Sequence, residues 1–154
     1  MSRIQLALNV GDLDEAVAFY GRLFGAEPAK RRPGYANFAI ADPPLKLVLI
    51  AGVGEPGTLN HLGVEVPSSG DVASEASRLG QAGFELRHEQ GVSCCYAVQD
   101  KFWVAGVDRR EWEIYTVLGD APNLAPQASG NGNACCASQA SSCAAESDGA
   151  AVTR

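Results

Sequence analysis

The stretches QLALNV, residues 5–10, and HLGVEV, residues 61–66, fall on one another when the chain is shifted by 56 positions, and the same shift lays Arg22-Leu23 over Arg78-Leu79. Both stretches alternate at the period of two that marks a half-buried strand. A helix signal follows each. Asp12 or Asp14 caps a helix over Glu15–Phe24 with Gly25 as its stop, and Ser68 or Ser69 caps one over Asp71–Ala82 with Gly83 as its stop. Short strands are then expected near Ala29–Arg31, Tyr35–Ile40 and Leu45–Ile50, and again near Glu85–His88, Tyr96–Lys101 and Trp112–Val117. The repeating unit is βαβββ, so the fold class is α+β, with paired modules at about 1–52 and 57–118 inside one domain over 1–120.

From residue 121 onward the chain is small and polar, without an aromatic residue or an apolar period. Such a segment buries too little surface to offset its ordering entropy, so 121–154 is expected to be a disordered tail. It carries three of the five cysteines, Cys135, Cys136 and Cys143. The net charge of -6, with Lys30-Arg31-Arg32 as the one basic block, excludes an electrostatic footprint for nucleic acid or anionic membrane. Asp12 interrupts the N-terminus before any signal-peptide run, which points to a cytoplasmic protein. In a reducing compartment cysteines serve metal binding or reactivity better than structural bridging.

Two βαβββ units with sheets curled round a shared cleft resemble the vicinal oxygen chelate superfamily of glyoxalases, extradiol dioxygenases and fosfomycin-resistance proteins. That resemblance covers residues 1 to about 118 and implies metal ligands on the first strand of each half and the last strand of the second: Gln5, His61 and Glu113. Alternation agrees with the choice. Gln5 shares a strand face with Ala7 and Asn9 while Ile4, Leu6 and Leu8 pack the other way, and Glu113 alternates against Trp112 and Ile114. An imidazole, a carboxylate and an amide oxygen suit a divalent first-row metal with positions left open. Gln5 departs from the common two-histidine pattern, and His88 reads as a solvated residue.

LKLVLI, residues 45–50, lacks the carboxylate that an isomerase of the glyoxalase kind takes as its fourth ligand. Isomerisation is therefore the weaker reading. In GVSCCYAVQDKFWV, residues 91–104, Cys94 and Cys95 are adjacent. On a regular strand adjacent side chains face opposite ways, so the two thiols converge only on a loop, which Gly91 permits. The residues alone leave two readings open: a soft bidentate chelate, or a buried Cys94 beside an exposed Cys95.

RPGYANFAIADPPLKLVLI, NHLGVEV and CCYAVQDKFWV closely resemble the carbon–arsenic lyases, iron-dependent dioxygenases of this superfamily, and their cadmium-inducible relatives. The resemblance implies that Cys94 and Cys95 hold a trivalent organoarsenical, methyl or aromatic, beside Fe(II) on Gln5, His61 and Glu113. It further implies cleavage of the bond from carbon to arsenic with dioxygen, releasing arsenite. Tyr96, Lys101 and Trp103 are expected to serve strand and core packing. The rival readings are an arsenical- or cadmium-sequestering protein without turnover, and a metal-dependent thiol transferase of the fosfomycin-resistance type. The expected state is a monomer or homodimer, with no nucleic-acid or membrane partner.

Overall fold

The computed structural model describes residues 1–107 and 110–122. The first half comprises β1 (Arg3–Val10), α1 (Leu13–Phe24), β2 (Lys30–Arg32), β3 (Tyr35–Ile40) and β4 (Leu45–Ala51). The second repeats that order with β5 (Leu59–Glu65), α2 (Ser69–Gln81), β6 (Leu86–Cys94), β7 (Ala97–Ala105) and β8 (Glu111–Asp120). Of the alternative caps, Asp12 and Ser68 are used: their side chains accept from the backbone N–H of Glu15 and Asp71. Gly25 ends α1 in the left-handed region at φ 61°, the conformation that lacks a steric cost without a Cβ.

All eight strands form one curled mixed sheet in the order β2-β3-β4-β1-β5-β8-β7-β6. β1 runs parallel to β4 and β5 parallel to β8, while β1 and β5 meet antiparallel at the centre. The two halves are therefore related across the β1/β5 seam. The convex face is apolar and covered by helices. Leu6 and Leu8 join Phe38, Leu47 and Leu49 beneath Val17, Tyr20 and Phe24 of α1, and Phe102, Val104 and Ile114 pack with Val72, Ala76 and Leu79 of α2. Ile4 departs from the expected packing and is 46% exposed at the strand's start.

β6, β7 and β8 run furthest past their expected bounds. β6 runs nine residues to Cys94, β7 continues to Ala105, and β8 reaches Asp120. Gly91, expected to open a loop, sits instead inside β6 at φ 59°, where the register against β7 shifts between Glu89 and Val92. A glycine with positive φ absorbs the extra residue of a bulge without ending the strand. Ala121 is buried and donates its N–H to the Tyr96 carbonyl, so ordered packing runs past Leu118. The tail with Cys135, Cys136 and Cys143 lies outside the described residues. Among those described, no helix is long and apolar enough to cross a membrane.

Candidate active site

β1, β5 and β8 are sheet neighbours, and Gln5, His61 and Glu113 project from them onto the concave face. Each is at most 5% exposed. The Gln5 amide Nε2 lies 2.8 Å from His61 Nε2 and donates to Glu113 Oε2 at 3.0 Å, and His61 Nε2 stands 3.3 Å from the same oxygen. Gly63 pairs in register with Gln5 on one side and Glu113 on the other. A Cβ on it would come within 2.9 Å of the Glu113 carbonyl oxygen and 3.4 Å of Gln5 Nε2. Its missing side chain leaves the space in which the three groups meet.

A hydrogen-bond chain places a proton on Nδ1 of His61. The Glu55 carbonyl can only accept, so the Thr58 hydroxyl donates to it at 2.6 Å and accepts from Asn9 Nδ2 at 2.9 Å. Asn9 Oδ1 then accepts from Asn60 Nδ2 at 2.8 Å, and Asn60 Oδ1 takes the proton of His61 Nδ1 at 2.7 Å. The Nε2 lone pair is thereby turned toward Glu113. Gly54 accommodates this chain, since a Cβ there would meet the Asn9 amide at 2.5 Å.

Glu113 is a carboxylate. Burial pushes its pKa up, but the Lys101 ammonium bonded to it outweighs burial and holds it well below the usual carboxylate range. Lys101 Nζ donates to Glu113 Oε1 at 2.9 Å and is itself 1% exposed. The Tyr115 hydroxyl donates to Gln5 Oε1, and burial, followed by the Glu113 charge, raises its pKa well above the usual phenol value. An imidazole lone pair and a carboxylate oxygen thus face each other across a donor. That arrangement suits a cation. Turned end for end, the Gln5 amide would offer its oxygen to the same point and its NH2 to Tyr115. Among the described residues no three His, Cys, Asp or Glu side chains gather as a metal-binding group, so a metal here depends on the Gln5 amide as third donor.

Cys94 and Cys95 do not lie on the loop expected from Gly91. Cys94 closes β6 opposite Ala97, leaving Cys95 and Tyr96 as the two residues of the hairpin turn. Their φ values of 54° and 58° are those of a type I′ turn, which Asn-Gly adopts readily and a bulky pair does not. The turn breaks the strand alternation, and the two sulfurs come to 3.3 Å, not joined in a disulfide. Contacts to the first half hold the strained turn. Tyr96 donates its hydroxyl to the Pro33 carbonyl at 2.9 Å, its ring lies 5.6 Å from that of Tyr35, and its own carbonyl accepts from Lys30 at 3.0 Å. Cys94 is buried with Ala7, Val48 and Ile50, whereas Cys95 lines the cavity, of about 210 Å³, that also contains Gln5, His61 and Glu113.

Several residues of this site were missed or misjudged in the sequence. Lys101, expected to pack, is ion-paired to Glu113, and Trp103 sets its ring 5.6 Å from His61. Tyr115 and Gly63 carried a signal, since each stands two residues along a strand from an expected ligand and so on the same face. Asn60 carried none, because it acts sideways from a neighbouring position. His88 is exposed, beside Phe102.

Residues 3–114 match the family model described as the Glyoxalase/Bleomycin resistance protein/Dioxygenase superfamily. The chain is 57% identical over 145 residues to the cadmium-induced protein CadI of Mycobacterium tuberculosis, covering 90% of this chain and 95% of that one. It is 54% identical over 151 residues to the trivalent organoarsenical cleaving enzyme of Thermomonospora curvata, covering 97% and 98%. Among solved structures, the Mn(II)-bound glyoxalase from Novosphingobium aromaticivorans superimposes with a TM-score of 0.53 at 18% identity, over 79% of this chain and 42% of that one, a likeness of fold.

Proposed function

The chain belongs to the Glyoxalase/Bleomycin resistance protein/Dioxygenase superfamily, and from that premise we propose that it cleaves the carbon–arsenic bond of trivalent organoarsenicals, using Fe(II) and dioxygen and releasing arsenite. The observation that carries the reading is the Cys95-Tyr96 turn, which brings the buried Cys94 sulfur within 3.3 Å of that of Cys95, a residue lining the cavity that holds Gln5, His61 and Glu113. The organoarsenical cleaving relative at 54% identity supports the substrate class.

Two thiols displace the two hydroxyl groups of an arsonous acid as water and leave arsenic bound to both sulfurs and its carbon. With each sulfur about 2.3 Å away, the length of a zinc–thiolate bond, an atom bridging sulfurs 3.3 Å apart would see them about 90° from one another. Pyramidal trivalent arsenic bonds near that angle. A hard, oxygen-seeking cation gains little from such a pair.

The amide oxygen of Gln5, once turned end for end, the Nε2 of His61 and the carboxylate of Glu113 would hold the metal, with Asn60 and Lys101 keeping the His61 and Glu113 donors oriented. Fe(II) bound there would supply dioxygen activation. Methylarsonous acid and dioxygen together contain the atoms of formaldehyde and arsenous acid, so the reaction needs no further reductant. The Cys pair contributes positioning, converting an encounter of two dilute reactants into reaction within one cavity. The reading places the enzyme in the cytoplasm, where thiols stay reduced.

The test is arsenite release from methylarsonous acid by Fe(II)-loaded protein, incubated without oxygen and then opened to air. Turnover should require air and both sulfurs, with Cys94→Ser and Cys95→Ser inactive. One equivalent bound and no arsenite released would leave sequestration as the function.

A further inference from the structure

The two sulfurs at the β6–β7 turn stand 3.3 Å apart as free thiols in unlike surroundings. Cys94 is 1% exposed and packs with Ala7, Val48 and Ile50, whereas Cys95 is half-buried and lines the cavity. A solute entering the cavity therefore meets Cys95 and finds a second sulfur directly behind it. The turn keeps this relation by protein contacts alone, through the bonds of Tyr96 to Pro33 and Lys30.

A disulfide sets its sulfurs about 2.05 Å apart, so the pair needs to close by little more than an ångström. The Cα atoms of neighbouring residues are about 3.8 Å apart, short of the span of at least about 4.4 Å that unstrained disulfides prefer. A bond between adjacent cysteines is therefore strained and readily reduced by a small thiol, the behaviour of a labile disulfide and not of a structural one.

We propose that Cys95 and Cys94 form a modification site for hydroperoxides, which close the pair reversibly into a vicinal disulfide. The Cys95 sulfur, as thiolate, attacks a peroxide oxygen: an S–O bond forms, the O–O bond breaks, and the leaving hydroxide departs as water. Cys94 then attacks the Cys95 sulfur, forming S–S and breaking S–O, and its own proton leaves with the hydroxyl group as a second water. The two thiols lose two electrons and two protons, and hydrogen peroxide is reduced to two waters. Cys94 thereby intercepts the sulfenic acid before further peroxide drives it to the irreversible sulfinic state. The oxidation stands independently of the arsenical reading, while its consequence, that a closed pair takes up no arsenic, rests on that reading.

The test uses the full chain, reduced and freed of iron so that hydrogen peroxide is the sole oxidant, then alkylated and digested with trypsin. Cleavage after Arg87 and Lys101 isolates Cys94 and Cys95 in peptide 88–101, apart from Cys135, Cys136 and Cys143 in 111–154. Most of peptide 88–101 should emerge unalkylated and two hydrogens lighter, and dithiothreitol should restore it. In Cys94→Ser the Cys95 sulfenic acid should persist and be trapped by dimedone, whereas in Cys95→Ser the buried Cys94 should stay reduced. Alkylation of both cysteines in the treated wild type, sulfinic acid at Cys95, or a cross-link to peptide 111–154 overturns the site. Equal trapping in the two serine variants overturns the division of roles. Phenylarsine oxide bound beforehand should protect peptide 88–101 from peroxide; oxidation undiminished by it overturns the arsenical reading and leaves the disulfide standing.

Discussion

At the scale of single residues the site depends on groups that touch no ligand. Asn60 settles which nitrogen of His61 carries the proton, because its carbonyl oxygen is directed by a chain anchored on the Glu55 backbone. Asn60→Leu should therefore lower Fe(II) affinity by roughly 10–100-fold, as loss of a ligand's orienting partner does elsewhere. Nitrogen NMR of the metal-free protein should show the His61 tautomer no longer fixed, and an unchanged spectrum would remove Asn60 from this role. Gly63→Ala makes the complementary test. Its methyl group would press on the Glu113 carbonyl at 2.9 Å and enter the space beside Gln5, so metal binding should fall steeply while the far-UV circular dichroism keeps its wild-type shape.

At the scale of the element, the β6–β7 hairpin sets the separation of the two sulfurs. Its two-residue turn holds non-glycine residues at positive φ, a strain of about 1–3 kcal/mol at each, and the Tyr96 bonds to Pro33 and Lys30 stabilise it. Insertion of one glycine between Cys95 and Tyr96 would relax the turn into a three-residue loop. The hairpin ladder should survive, and bidentate capture should not. Titration with phenylarsine oxide should then show the tight complex of wild type lost at unchanged thermal midpoint, within a few degrees. Retained tight binding would show that the turn geometry is not what brings the sulfurs together.

At the scale of the whole molecule, buried charge makes stability depend on pH. The Glu113 pKa is about 2 in the fold, against 4.5 ordinarily. A depressed carboxyl contributes stability that is complete above the unfolded value and is lost as pH falls through the folded one. Metal-free protein should thus lose stability between about pH 4.5 and 2, and Glu113→Gln should flatten that part of the curve in chemical denaturation; a slope equal to wild type would refute the linkage. The same scale separates what the sequence reveals from what it conceals. The repeat from Gln5 to His61, the caps at Asp12 and Ser68, and the strand alternation in β1 and β8 are local, and these signals determined the βαβββ order and the faces taken by Gln5 and Glu113. Periodicity has no reach across strands. That Gln5, His61 and Glu113 meet, that Lys101 pairs with Glu113, and that Cys94 and Cys95 converge were decided by sheet order, by register and by a turn held against the other half of the molecule. The physical reason is distance along the chain: residues 108 positions apart, such as Gln5 and Glu113, come together only when long-range strand pairing has closed the loop between them.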